Sequence, residues 1–204
     1  MLAHVNSRYA ISFLVFLTSL IIYFIAVAGS SEPRLIVIGD SLSTTHESWP
    51  NQLREMAPRW NVQVMAQNGR TIRDFSIPRD LWTPGNNNET VVYFLGGNDI
   101  LERNAIAHAK YRLQSHIAFL LERNFKVLLI IPPSFGLKDQ MFDEPNREHR
   151  EMIESCRGAY PNLWVYDIDN VWDPSMTTDG IHPTADLSRA IAFAINIVLS
   201  MNIY

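Results

Sequence analysis

A chain of 204 residues, 47% hydrophobic and 19% charged, has apolar material for one buried core and too little charge for a disordered polymer. Its formal net charge of −4 gives no footing for nucleic acid or another polyanion as a partner. The single cysteine, Cys156, excludes an internal disulfide and a cysteine-based zinc site. With only Arg157 beside it, its thiol reads as a small core hydrophobe rather than a nucleophile.

From Ala10 to Ala28 no residue is charged, and most are Leu, Ile, Val or Phe. As a helix this run would span about 28 Å, close to the thickness of a hydrocarbon core. Arg8 precedes it, no acidic residue occurs before Glu32, and Ala26-Val27-Ala28-Gly29 carries the small residues of a cleavage site. Two readings fit, a cleaved signal peptide and an uncleaved signal anchor that touches the membrane through residues 10–28. Both put residues 33–204 outside the cytosol, periplasmic or secreted, because Arg8 favours a cytoplasmic N-terminus. The expected division is therefore a leader with a short linker over 1–32 and one domain over 33–204.

Within that domain Leu35–Ile38 reads as a buried strand and Trp49–Met56 as a helix closed by Pro58. Val62–Ala66 is a strand of period-two character. Asn88-Glu89-Thr90 is a glycosylation sequon, relevant only if the source glycosylates. Thr90–Leu95 is a central strand ending in Gly96-Gly97, and Asn104–Arg123 has helical spacing at Ile106, Leu113, Ile117, Leu120 and Leu121. Val127–Ile131 is a strand stopped by Pro132-Pro133, Glu148–Cys156 a helix, and Leu163–Ile168 a strand. Ala185–Leu199 is a closing helix, apolar on all sides and expected to be well buried. Alternating strands and helices predict an α/β fold, a three-layer sandwich with a mostly parallel central sheet.

Four polar segments fall at strand ends or in loops after strands, where such sheets bind ligands. They are Gly39-Asp40-Ser41, Asn68-Gly69-Arg70, Gly96-Gly97-Asn98-Asp99 and Asp179-Gly180-Ile181-His182-Pro183. Singly each has a plain structural reading. Ser41 suits a helix cap, Gly69 a turn, Asn98-Asp99 an Asx turn or N-cap, and Asp179 and His182 a polar loop. Their conjunction carries more weight, since Gly-Gly-Asn-Asp alone arises by chance in roughly one chain in five hundred of this length. A serine hydroxyl is a weak nucleophile until a base takes its proton, and an imidazole can take that proton and return it to a leaving group. A carboxylate three residues before a histidine, on a tight turn, can lie beside that ring. Position 43 is serine, so this is not the Gly-x-Ser-x-Gly elbow of α/β-hydrolases.

In this order the four segments resemble the blocks of the GDSL, or SGNH, hydrolase family, from Arg34 to the closing helix. Gly39-Asp40-Ser41-Leu42-Ser43, Trp49-Pro50 and Asp179-Gly180-Ile181-His182-Pro183 are most similar to its single-domain thioesterase, lysophospholipase and arylesterase group. The resemblance implies a flavodoxin-like sheet, Ser41 as nucleophile, His182 as base and Asp179 as the carboxylate that orients it. It implies an oxyanion hole of the backbone N–H groups of Ser41 and Gly69 and the side-chain amide of Asn98, with no cofactor or metal. A glycine at 69 would let the backbone approach without a Cβ in the way. The implied substrates are small-molecule or lipid carboxylic esters, lysophospholipids and thioesters included. Two alternatives stay open, a carbohydrate O-acetyl esterase or acyltransferase of the same superfamily, and a binding protein that keeps the fold without catalysis.

Other polar residues are expected to be structural. Asp40 and Asp99 suit hydrogen bonds to loop backbone, and His46 the rim of the site. His108 and His116 lie on a predicted helix without paired carboxylates, and His4 precedes the apolar run. The segment Ser134 to Pro145 carries Phe135, Leu137, Met141 and Phe142, which suit an acyl pocket, as in the family group, and equally suit packing on the sheet. Arg70, Arg73 and Arg79 read as solvated arginines or as partners of an anionic leaving group.

Overall fold

Strands whose residues are apolar at nearly every position need cover on both faces, and a central parallel sheet provides it. The computed structural model describes residues 16–19, 33–85, 89–102, 106–135 and 143–202. Asn88, Leu137, Met141, Phe142 and most of the uncharged 10–28 run lie outside the described residues. The chain divides into two units, Met1–Glu32 and Pro33–Tyr204. Among the described residues no helix is long and apolar enough to cross a membrane.

The second unit holds five parallel strands: β1 (Arg34–Gly39), β2 (Asn61–Ala66), β3 (Glu89–Phe94), β4 (Lys126–Ile131) and β5 (Leu163–Asp167). Their spatial order is β2-β1-β3-β4-β5, the flavodoxin-like order. The helices are α1 (Trp49–Met56), α2 (Gly97–Leu101), α3 (Ile106–Glu122), α4 (Asp143–Glu154) and α5 (Ala185–Asn202).

The period-two alternation of the strands divides the core into two layers. Ile36, Ile38, Val91, Tyr93, Val127 and Leu129 meet Leu113, Ile117 and Leu120 of α3 and Met152 and Ile153 of α4. On the other face Leu35, Val37, Val92, Phe94, Leu128 and Ile130 meet Trp49 and Leu53 of α1 and Leu187, Ile191, Ile195 and Leu199 of α5. The three-layer sandwich is as expected. Gly39 pairs with Ala66 of β2 and Phe94 of β3, so these three strands end level and their loops begin side by side. The chain runs outward from β1 to β2 on one side and to β3 on the other. The crevice at that reversal is where ligands bind in open α/β sheets.

Three elements differ from the sequence expectation. Helix α2 starts directly after β3, because Gly96 turns the chain at φ +123°, a conformation L side chains rarely adopt. Helix α4 starts at Asp143, five residues early, since Pro145 fits a first helical turn and Asp143 and Glu144 favour its positive end. Helix α5 is not buried all round. Phe193, Ile197 and Met201 are 57%, 41% and 77% exposed, on the side away from the sheet.

Cys156 is half-buried against the core, and burial pushes its thiol pKa up, in keeping with a packing role. His116 is buried, its Nδ1 2.9 Å from the Tyr93 hydroxyl, and Phe75 packs edge-on against the ring. Burial lowers its pKa to about 4 from an ordinary 6.5. Between those values the unfolded chain binds a proton that the fold excludes, so His116's contribution is full above pH 6.5 and is lost as pH falls through 4. Urea unfolding of the wild type against His116→Gln should show the wild type losing stability relative to the variant over that window; parallel profiles would contradict this.

Gly39 ends β1 where the following turn folds back on it, and a Cβ there would lie 2.5 Å from Ser43 Oγ and 2.8 Å from Ser43 Cβ. Gly39→Ala should therefore destabilise the domain by about 1–3 kcal/mol, as other overpacking changes do, read as a lowered urea midpoint at unchanged m-value. An unchanged midpoint would show that the turn yields freely.

Candidate active site

A carboxylate at the end of β1 sets the first half of the site. Asp40 is 2% exposed and caps the single 3-10 turn Ser41–Ser43, its Oδ1 accepting from Leu42 N at 3.0 Å. Ser41 opens that turn, so its N–H has no acceptor within it. Ser43 Oγ accepts from Trp49 Nε1 at 3.0 Å, which ties the turn to the first residue of α1. Burial pushes the Asp40 carboxyl up to about 7.

The second half comes from a turn that orders itself. Gly180 takes φ +88°, Thr178 N donates to His182 O at 2.8 Å, and Gly180 N donates to Thr177 Oγ1 at 3.1 Å. Within it Asp179 Oδ1 accepts from Ile181 N at 3.0 Å and from His182 N at 2.7 Å. Its other oxygen, Oδ2, lies 2.7 Å from His182 Nδ1. The backbone bond from His182, then its side-chain bond, lower the Asp179 pKa to about 2. An ionised carboxylate only accepts, so His182 Nδ1 carries the proton and Nε2 presents its lone pair. That Nε2 lies 3.0 Å from Ser41 Oγ. Residues 141 apart in sequence thus form one chain of contacts from carboxylate to imidazole to hydroxyl. The Asp179 and His182 side chains are about half exposed, at 52% and 40%, so the site is open to solvent.

The loop after β2 supplies a third wall. Gln67 N donates to Gly39 O at 3.2 Å, and Thr44 Oγ1 bonds Asn68 Oδ1 at 2.6 Å, joining this loop to the Ser41 turn. Gly69 takes φ +71°, and a Cβ there would meet no protein atom within 4 Å. Glycine is thus required by the backbone conformation, and crowding from the protein plays no part. Asn98 projects from the first turn of α2, where its Nδ2 donates to Arg70 O at 3.0 Å and approaches Asp40 Oδ2 at 3.4 Å. One amide hydrogen is well used and the other is engaged at the far limit of a hydrogen bond. The Asn98 amide is therefore held beside the end of β1 with one donor loosely occupied.

Asp99 acts on the loop backbone, as expected. Its Oδ2 accepts from Ile72 N at 2.7 Å and its Oδ1 from Arg73 N at 3.4 Å. Arg70 is not poised for a leaving group; its Nη1 bonds the carbonyl of Met65, and its guanidinium lies over the Phe75 ring. Arg73 pairs with Asp74 at 3.0 Å. His46 is exposed and His108 lies on the outer side of α3.

One network was not legible in the sequence. Ser134 donates to Asp169 through its N–H at 2.8 Å and its hydroxyl at 2.6 Å. Arg150 of α4 pairs with Asp169 at 2.9 Å and with Asp167, and donates to Pro132 O at 3.1 Å. These bonds fasten the loop after β4, and they set buried Phe135 edge-on to Trp172 and over Gly97. The partners come from three separate elements, and no local spacing announces them. Among the described residues no three His, Cys, Asp or Glu side chains gather as a metal ion would require.

The fold agrees with the comparisons to known proteins. Residues 37–190 match the GDSL-like lipase/acylhydrolase family. No curated protein sequence is significantly similar to the chain. Among solved structures, a putative lipolytic protein of the G-D-S-L family from Desulfitobacterium hafniense DCB-2 superposes with a TM-score of 0.67 at 19% identity, over 82% of this chain and 99% of its own. The lipase Lip_vut3 from a goat rumen metagenome gives 0.69 at 14% identity over 84% and 99%. Est24, a carbohydrate acetylesterase from Sinorhizobium meliloti, gives 0.59 at 15% over 82% and 98%. At these identities the structures establish a shared fold, and the family follows from the sequence match across most of the chain. This chain belongs to the GDSL-like lipase/acylhydrolase family of ester-hydrolysing enzymes.

Proposed function

We propose that the protein hydrolyses carboxylic esters through an acyl-enzyme on Ser41. The observation that carries this reading is the run of contacts from Asp179 through His182 to Ser41 Oγ, at 2.7 and 3.0 Å. In the first half-reaction Ser41 Oγ attacks the ester carbonyl carbon and passes its proton to His182 Nε2. The carbonyl oxygen becomes an oxyanion, received by the backbone N–H groups of Ser41 and Gly69 and by the loosely occupied amide hydrogen of Asn98. Collapse breaks the bond to the alcohol, which leaves with the proton from His182. Water then attacks the acyl-enzyme by the same route in reverse, and the carboxylic acid departs. Asp179 stays ionised across the neutral and mildly acidic range, its pKa near 2, and so stabilises the imidazolium formed at each step.

A second reading, a carbohydrate O-acetyl esterase, draws support from the fold shared with Est24, described as a carbohydrate acetylesterase. The two differ in the acyl group accepted. Rates on p-nitrophenyl esters of graded chain length should stay appreciable beyond acetate if the general ester reading holds. A sharp restriction to acetate, with action on an acetylated glycan, would move the assignment to the second. We also propose that the domain works outside the cytosol, carried there by the uncharged run before Pro33.

Ser41→Ala and His182→Ala should abolish turnover while leaving the free energy of urea unfolding within about 1 kcal/mol of wild type, and Cys156→Ala should leave turnover unchanged. Normal turnover by either of the first two would overturn the mechanism. Asn98→Ala should lower kcat by about 10²–10³ with little change in KM, since its bond matters most to the oxyanion. A change confined to KM would assign Asn98 to substrate binding instead.

A further inference from the structure

The outer side of α5 carries an apolar row that neither the core nor the site uses. Phe193, Ile197 and Met201 recur every four residues, so they line one side of the helix, opposite the side that Ile191, Ile195 and Leu199 bury. From Ile191 to Asn202 the helix has no charged residue. Three large exposed apolar side chains in a row on a domain surface call for a partner.

What that partner is follows from where the chain enters the domain. Pro33 lies at the foot of α5, sharing a cavity of about 240 Å³ with Arg59, Trp60 and Ser200. Its carbonyl accepts from Asn61 N at 3.1 Å, while Arg59 bonds Asn196 at 3.1 Å and also Ser200, both on α5. Only four residues, Gly29 to Glu32, separate Pro33 from the uncharged run Ala10–Ala28. Fully extended, they reach about 14 Å. On the anchor reading, that length is the upper bound on how far Pro33 can lie from the bilayer. Met201 to Phe193 is about 12 Å of helix, comparable with the full extension of that linker.

We propose that Phe193, Ile197 and Met201 rest in the interfacial layer of the bilayer that anchors residues 10–28. The proposal rests on the anchor reading of that run. Three side chains are a marginal footing for a free protein, but a tether of four residues supplies a high effective concentration, so a weak contact becomes persistent. The exposed guanidinium of Arg59 beside this row suits an anionic headgroup layer. The catalytic turn joins the same helix, since α5 begins three residues after His182. Such a contact would hold the Ser41–His182 site beside the membrane surface and favour amphiphilic esters over soluble polymers.

The test uses the full chain in vesicles of phosphatidylcholine and phosphatidylglycerol. An environment-sensitive fluorophore is attached at Met201→Cys, at Phe193→Cys or, as control, at Tyr111→Cys on the opposite face of the sheet, each in a Cys156→Ala background. Hydrolysis of a soluble short-chain ester reports that each labelled protein is folded. Brominated lipids should quench the probes at 193 and 201 by about two-fold or more, as expected for side chains at the headgroup boundary, and leave the probe at 111 unchanged. Protein that floats with the vesicles but shows equal, weak quenching at all three sites overturns the contact while keeping the anchor. Protein that does not float overturns the anchor reading, and the contact with it. A dimer cross-linked through unlabelled Met201→Cys, with no quenching, assigns the surface to a second copy and overturns the proposal.

Discussion

The turn that follows β1 constrains everything around it. The strand must stop at Gly39, because the next residues fold back so closely that a Cβ would collide with Ser43. Asp40 is driven into the interior to cap that turn, and Ser41 is left at its head, level with the ends of β2 and β3. The two strands flanking β1 then bring their loops to the same place. Asn98 reaches across from the end of β3 to the carbonyl of Arg70 after β2, and Asp99 holds the amides of Ile72 and Arg73 in that loop. The position of one serine is thus over-determined by three loops.

Two aspartates in this small region are pushed in opposite directions. Asp40 is buried, and removal from water outweighs its backbone bond, which raises it to about 7. Asp179 lies in solvent and accepts two backbone N–H groups and the His182 ring, which lowers it to about 2. The second arrangement suits a permanent counter-charge for an imidazolium, and the first suits a group that organises backbone. Sequence position alone does not distinguish them, since both precede chemistry-bearing residues by one to three places. Environment separates the catalytic candidate from the scaffold.

The strands were legible because they are buried on both faces, so β1, β3 and β4 read as unbroken apolar runs with edges within a residue of those observed. Ser41, Asp179 and His182 were legible as candidates because glycine-containing turns at strand ends and in the loops after strands mark where such a sheet exposes polar groups. The start of α4 was not, since Pro145 looks like a breaker until it is seen in a first turn, where its missing N–H is harmless. The outer side of α5 was misjudged because an apolar helix is taken as a buried one, and nothing local reports which side faces the sheet. The Ser134–Asp169–Arg150 network was invisible for a related reason, as its members meet only through the order of β4 and β5 in the sheet. The left-handed backbone at Gly69 was not legible, because nothing in a sequence reports φ beyond the glycine itself.

Helix α5 links these parts, with the His182 turn at its head, core residues along one side and an apolar row along the other. On the proposed mechanism His182 makes the Ser41 hydroxyl nucleophilic, and covalent trapping reads out that activation. Folded wild-type protein treated with a fluorophosphonate and digested should carry one phosphonyl adduct, mapped by mass spectrometry to Ser41, and the His182→Ala protein should carry almost none. An adduct that forms equally well without His182, or one on another residue while Ser41 stays free, would overturn that mechanism.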